Sequence, residues 1–294
     1  MGDASVAAST AEVPASADLS EVTVISVTYN SSQIVRQLID SIPASVNVIL
    51  VDNGSSDVEQ LNTLADERIK VVLNEQNMGF GVACNIGAKH AQTEYLFFVN
   101  PDAHLSEPTI RALLKASLTY PNAAAFNPAI QDDKGRAYFK RSSTLLPRDQ
   151  FMPRGWPEAD RQVNVLSGAA IFIKRCTFDA VGGFDSNIFL YHEDDDISLR
   201  LRKLGPLMFV RDAVLTHIGG AGSVRSPRVA ASKAWHMGRS RVYTLRKHGF
   251  ALPWWRSLGL ALGQLLSPLV WLSKRKRAKQ VALLKGVWSM RGAD

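Results

Sequence analysis

The sequence predicts an α/β fold, a mostly parallel central sheet flanked by helices, followed by a basic helical C-terminal region. Three observations carry this. Apolar, β-branched runs such as residues 22–28 and 46–51 lack the alternation of a half-exposed strand, as strands buried on both faces do. Helix-forming stretches separate these runs, the order expected of parallel strands with crossover helices. Turn sequences bearing a carboxylate end two of the runs, at Asp52-Asn53-Gly54 and Asn100-Pro101-Asp102. With 294 residues, 46% hydrophobic and 21% charged, the chain can bury a core of this kind.

The elements follow in order. Residues 1–20 are rich in Ala and Ser and lack the basic start and apolar run of a secretory signal, so a disordered tail is expected. Residues 22–28 form the first strand, and Asn30-Ser31-Ser32 starts a helix through Ile34, Leu38 and Ile39 because Asn and Ser cap well. A second strand, 46–51, runs into Asp52, and a helix around 60–66 and a short strand 70–73 follow. Gly79 opens a helix to residue 91, and 95–99 is a very hydrophobic strand. Asp132-Asp133-Lys134-Gly135-Arg136 is a hairpin signal pairing 124–130 with 137–141. Residues 148–160, rich in Pro, Trp and charge, are expected to be a mobile loop. A single strand is expected over 163–174, with small residues at Ser167-Gly168-Ala169-Ala170 where something approaches the backbone closely. A helix starts at the acids 193–196 and carries Ile197, Leu199, Leu201 and Leu204, and strands at 207–210 and 214–220 end the series. The expected organisation is a tail (1–20), an α/β domain (21–225, in halves 21–103 and 104–225) and a basic amphipathic region (226–294).

The net charge of +7 is unevenly spread, with acids clustered at 193–196 and bases concentrated near the end, including Lys274-Arg275-Lys276-Arg277. Such an end suits an anionic partner. The apolar run from Pro253-Trp254-Trp255 to Leu272 is broken by Gln264 and Pro268 and falls short of the ~20 residues of a spanning helix. Tryptophans at one end and a Lys/Arg block at the other suit a segment lying on a membrane surface, with a core or homodimer helix as the plainer alternative. No nucleic-acid motif accompanies the charge. Cys84 and Cys176 lack metal-ligand spacing, fit a reducing compartment, and are expected to be small buried hydrophobes.

Open parallel sheets bind ligands beyond the carboxyl ends of their strands. Asp52 and Asp102 both fall there. The run Glu193-Asp194-Asp195-Asp196 is the other candidate site: a helix dipole favours one or two acids in the first turn, not four. Carboxylates this close perturb one another's protonation, as in catalytic groups.

Further motifs join these in order: Ser26-Val27-Thr28-Tyr29-Asn30; Asp52-Asn53-Gly54-Ser55-Ser56-Asp57; Asn77-Met78-Gly79-Phe80-Gly81 with Asn85-Ile86-Gly87; and Asn100-Pro101-Asp102. Later come Ser167-Gly168-Ala169, Gly182-Gly183-Phe184-Asp185, the four acids with Arg200, and His217 with Gly219-Gly220. In this order and spacing the chain resembles the inverting nucleotide-sugar glycosyltransferases of family 2, which have the Rossmann-like GT-A fold, and within them a bacterial rhamnosyltransferase-like branch. The resemblance covers residues 22–223.

The resemblance implies a role for each position. Asp52 would read the base or ribose of a nucleotide-sugar donor, with Tyr29 and Asn30 lining the same pocket. Asn77, Gly79 and Asn85 would pass near the ribose and diphosphate. Asn100 and Asp102 would stand at the diphosphate, where Asp102 and His217 would hold Mg²⁺ or Mn²⁺. Asn100 replaces the Asp of many relatives, which implies a metal held largely by substrate phosphates. Asp194 would be the general base, with Glu193 the runner-up; Asp196 and Arg200 would form an i, i+4 pair, and Asp195 has no account. The implied activity is transfer of a sugar, by preference L-rhamnose from dTDP-rhamnose, to a lipid-linked saccharide acceptor for bacterial polysaccharide. The implied place is the cytoplasmic face of the membrane. Two alternatives are a nucleotide-sugar-binding protein without turnover, which needs no Asp102, Asp194 and His217, and a sugar nucleotidyltransferase. The latter needs a glycine-rich, basic pyrophosphate loop where Asn30-Ser31-Ser32 stands.

Overall fold

The structure, a computed structural model, describes residues 18–218 and 226–292. Its strands are β1 (Val22–Thr28), β2 (Asn47–Asp52), β3 (Ile69–Leu73), β4 (Tyr95–Val99), β5 (Ala103–His104), β6 (Ala125–Gln131), β7 (Ala137–Tyr138), β8 (Arg161–Val163), β9 (Ala170–Lys174) and β10 (Leu207–His217). Its helices are α1 (Ser32–Ser41), α2 (Val58–Asn62), α3 (Phe80–His90), α4 (Glu107–Thr119), α5 (Arg175–Ala180), α6 (Glu193–Leu201), α7 (Pro227–Lys247), α8 (Pro253–Leu265), α9 (Pro268–Trp271) and α10 (Lys274–Trp288).

The strands join one sheet in the order β3-β2-β1-β4-β9-β6-β10-β5, with β7 beside β6 and β8 beside β10. Successive strand residues point to opposite faces, and each face has its own core. Val22, Val24, Val48, Leu50, Phe97 and Val99 pack with α1 and α4 through Val35, Leu38, Ile110 and Leu113. Ile25, Val27, Ile49, Val51, Leu96 and Phe98 pack with α3, α5 and α6 through Ala83, Phe178, Ile197 and Leu201. Gly87 lets α3 settle on the sheet, since a Cβ there would lie 2.6 Å from Ile25.

The parallel arrangement holds for β3, β2, β1 and β4 and again for β6 with β10. Between them β9 runs antiparallel to both β4 and β6, so the second half of the sheet is mixed. The strand expected over 163–174 is two strands on different neighbours, and residues 164–169 make a turn between them. Asn127 holds that turn: it accepts from Ser167 N at 2.5 Å and donates to the carbonyls of Ser167 and Ala170. The strands expected at 207–210 and 214–220 are one, β10, with a register shift between Val210 and Val214. Residues 148–160 are irregular but anchored, as Trp156 donates to the Ile130 and Tyr138 carbonyls and Asp160 accepts from Arg211 N. Cys84 is buried as expected, whereas Cys176 is exposed. Residues 1–17 of the expected tail lie outside the described residues, and Leu19–Glu21 form one 3-10 turn with Leu19 buried.

Helices α7, α8 and α10 share a third core of Ala234, Val242, Leu258, Ala261, Leu283 and Val287. Glycines set how closely α7 and α10 approach. A Cβ on Gly286 would lie 2.1 Å from the Trp235 carbonyl oxygen, and one on Gly238 2.6 Å from that of Leu283. The C-terminal end of α7 is tied to α6, because Lys247 and His248 reach the buried Asp196 at 2.7 and 2.9 Å.

Candidate active site

The parallel strands β2, β1 and β4 end on one rim, and the first group of expected site residues sits there. Asp52 is buried, and its Oδ2 accepts from Gly54 N and Ser55 N at 3.1 and 2.9 Å, so the carboxylate builds the turn it ends in. Its Oδ1 is buried without a hydrogen-bond partner. Asn30, at φ 51°, crosses to the same turn and accepts from Ser56 N and Oγ at 2.9 Å, beside a half-exposed Tyr29. Asn53 organises the next loop, donating to Asn77 Oδ1 and the Gly79 carbonyl and accepting from Met78 N. Gly79 has φ 85° and would place a Cβ 2.4 Å from the Phe189 carbonyl oxygen, so a side chain is excluded twice over. Both amide atoms of Asn85 are engaged with the backbone of Phe184, which fixes the turn at 182–185.

Just past β4, Asp102 meets the end of β10. Asp102 Oδ1 lies 2.9 Å from His217 Nε2, and the Asn100 amide nitrogen is 3.2 Å from the same atom. The antiparallel pairing of β5 with β10, His217 opposite Ala103, makes this junction. Among the described residues no three or more His, Cys, Asp and Glu side chains gather for a metal. The donor set here is therefore one carboxylate and one imidazole, beside an amide. It fits a divalent ion whose remaining ligands are phosphate oxygens and water. Gly219, Gly220 and Ser223 lie outside the described residues.

The four acids occupy the first turn of α6, and the chain enters it through two left-handed residues, Tyr191 (φ 67°) and His192 (φ 68°). Such backbone costs on the order of 1–3 kcal/mol per residue and collects at functional sites. The acids face four ways. Glu193 is buried at the inner wall of the cleft, where burial and then the Asp194 charge push its carboxyl up to about 8. Asp194 opens to the cleft, its Oδ2 receiving Lys140 Nζ at 2.6 Å and Gly168 N at 3.0 Å. Asp195 pairs with Lys140 at 2.8 Å and His192 at 2.9 Å, and these partners hold it well below the usual carboxylate range against the opposing effect of burial. Asp196 is fully buried and meets Arg200, Lys247 and His248. The i, i+4 pair with Arg200 is the expected one. Asp195, without an account from sequence, is a counter-charge of Lys140 and a hydrogen-bond partner of His192.

A cleft of about 750 Å³ joins these parts, lined by Asn100, Gly168, Glu193, Asp194, His217 and Lys233 among others. It thus brings Asn100 and His217, two of the residues expected at the diphosphate and metal, together with the expected base and its runner-up. Tyr29, Asn30, Asp52, Asn77, Gly79, Asn85 and Asp102 lie outside its lining, and Asp102 meets it through His217. Three residues that sequence alone did not single out organise the site: Asn53, His192 and Lys140. Asn53 sits in a turn motif that signals only a turn, and Lys140 carries no local signal. The demand for cations near four acids was the one clue.

Known proteins share this arrangement of elements. The family model described as glycosyl transferase family 2 matches residues 23–182. The chain is 29% identical over 269 residues to the N-acetylglucosaminyl-diphospho-decaprenol L-rhamnosyltransferase of Mycobacterium tuberculosis (strain H37Rv), covering 80% of this chain and 86% of that one. A mannosyltransferase from Pyrobaculum calidifontis in complex with GDP-Man and Mn²⁺ superposes with a TM-score of 0.54 at 16% identity, over 92% of this chain and 86% of that one. GalNAc-T7 with UDP, GalNAc and Mn²⁺ gives 0.56 at 16% identity, over 93% and 56%. At such identities the two solved structures speak for the fold alone.

Proposed function

Because the chain belongs to glycosyl transferase family 2, we propose that it is an inverting transferase moving L-rhamnose from dTDP-rhamnose to a lipid-linked saccharide diphosphate, at the cytoplasmic face of a bacterial membrane. The observation that carries the reading is that Asp194 and His217, the latter paired with Asp102, line one cleft. The named activity of the mycobacterial relative supports L-rhamnose as the sugar and a lipid-linked saccharide diphosphate as the acceptor.

In the proposed reaction an acceptor hydroxyl attacks the anomeric carbon from the side opposite the diphosphate. A new C–O bond forms as the bond to the diphosphate breaks, and the electron pair leaves with the nucleoside diphosphate. Asp194 takes the hydroxyl proton, a contribution typically worth roughly 10²–10⁴-fold. Glu193 suits this task less, because a carboxyl with a value of about 8 holds its proton at neutral pH. Asp102 and His217 would hold Mg²⁺ or Mn²⁺, which when bound neutralises charge on the leaving diphosphate. Asp52 and Asn30 shape the turn that receives the nucleotide, and Asn77, Gly79 and Asn85 support that rim.

The C-terminal helices supply the membrane contact. Trp255, Leu260, Leu262 and Leu266 of α8 and its end are exposed, followed by exposed Trp271 and Leu272. Residues 226–294 contain fourteen Lys and Arg against one acid, Asp294. No helix of the described residues is long and apolar enough to cross a membrane. An apolar face amid bases suits a segment lying at an anionic interface.

The reading is tested by thermal shift with a panel of nucleotide sugars and Mn²⁺. A true donor stabilises the fold by ~2.7 kcal/mol at 100-fold excess over Kd. Indifference to every nucleotide sugar, with no transfer, would overturn it.

A further inference from the structure

Lys140 reaches the acids from the arm that follows β7. Its neighbours hold that arm independently: Phe139 packs edge-on against Phe209, and Arg141 Nε donates to the Met152 carbonyl at 2.9 Å. Lys140 itself turns the other way and is largely buried, its ammonium bridging Asp194 Oδ2 at 2.6 Å and Asp195 Oδ1 at 2.8 Å. Nothing in the arm's packing requires a cation at this point.

The contacts of Asp194 divide its two oxygens. Oδ2 accepts from both Lys140 and Gly168 N, and Oδ1 accepts from Asp195 N at 2.9 Å. A carboxylate oxygen offers two lone-pair sites. Oδ2 is therefore filled, and Oδ1 retains one site. We propose that Lys140 is a positioning residue of the transfer reaction, holding Asp194 by Oδ2 so that Oδ1 is the atom that takes the acceptor's hydroxyl proton. This rests on the reading of Asp194 as base.

The proton balance is simple. The acceptor O–H bond breaks, an O–H bond forms at Oδ1, and Lys140 keeps all its protons. Once Asp194 is neutral, Asp195 still balances the ammonium, which explains why a second carboxylate shares it. The same Coulomb logic holds Lys140 in its charged form: burial opposes the charge, and Asp194 and Asp195 outweigh it, raising the ammonium above the ordinary lysine range. Besides Asp194, the titratable groups on α6 and at its start are His192, Glu193, Asp195, Asp196 and Arg200. From outside that helix, Arg241 of α7 acts on Asp195, and Asp132, Arg136 and Lys233 line the cleft. The charged atom bonded to Asp194 is the Lys140 ammonium.

The test compares Lys140→Met and Lys140→Arg with wild type, using dTDP-rhamnose and a polyprenyl-diphosphate saccharide. The readouts are donor affinity by thermal shift, kcat, and the pH dependence of kcat. Lys140→Met is expected to bind donor as wild type does. Its kcat falls, and the acidic limb of its profile moves to higher pH, since a neighbouring cation favours the ionised carboxylate. Lys140→Arg restores the position of that limb. A loss uniform across pH, or no loss, overturns the role while leaving the family reading intact. Absence of transfer by the wild type with every nucleotide sugar overturns the reading itself, and the role with it.

Discussion

Glu193 and Asp194 are adjacent in sequence and opposite in environment. Glu193 is buried beneath the start of α6, with one carboxyl oxygen unpartnered, and its value of about 8 stands above an ordinary 4.5. A raised folded value means that its contribution to stability is full below about pH 4.5 and is lost as pH rises through 8. Glu193→Gln should therefore melt ever higher than wild type as pH is raised from 4.5 to 8. A tenfold change in a proton equilibrium corresponds to about 1.4 kcal/mol, which makes the gap on the order of a few kcal/mol. Parallel melting curves at all pH values would contradict the buried assignment. Asp194→Asn, by contrast, should leave the donor-induced thermal shift intact and lower turnover by at least ~10²-fold. The split between these residues was only half legible in sequence. The spacing of Asp196 and Arg200 gave their pair directly, because helix geometry brings residues four apart together. Lys140, Lys247 and His248 come from distant segments, and no local pattern announces such a partner.

Among the elements, the buried strands were read correctly because a continuous apolar run has few other uses. Where small residues interrupted such a run, the reading failed. Ser167-Gly168-Ala169 became a turn, because Gly168 presents its N–H to Asp194 and a Cβ there would lie 3.1 Å from that residue's own Cβ. Gly168→Ala should accordingly lower kcat through displacement of Asp194 while donor binding persists. Full activity would show that the close approach is dispensable. A second glycine tests the packing of the C-terminal helices. Gly286→Val forces α10 away from the Trp235 backbone, and overpacking of this kind costs about 1–3 kcal/mol. The expected result is a lower Tm. An unchanged Tm would mean that the α7–α10 crossing is looser than described.

The whole molecule divides by charge: an α/β body carrying the acids and a helical end carrying one acid against fourteen bases. Asp185 and Asp196 bridge the two, each bonded to Lys247, so the site and the basic helices are held in one arrangement. This linkage was invisible in sequence, where residue 226 looked like a boundary. On the proposed membrane contact, the protein should bind vesicles containing phosphatidylglycerol, release them as salt is raised, and ignore phosphatidylcholine alone. Leu262→Glu with Leu266→Glu should weaken that binding at least ~10-fold, since burying each leucine contributes about 1.5–3 kcal/mol. Concentration-dependent mass without vesicles would instead identify a second copy on that face. Inverting transfer with Asp194 as base is tested most directly by the anomeric configuration of the product. Wild-type protein, Mn²⁺, dTDP-L-rhamnose and a polyprenyl-diphosphate N-acetylglucosamine should yield a rhamnosyl product inverted at the anomeric carbon by NMR, and Asp194→Asn should yield none. Retained configuration, or an active Asp194→Asn, would contradict the account.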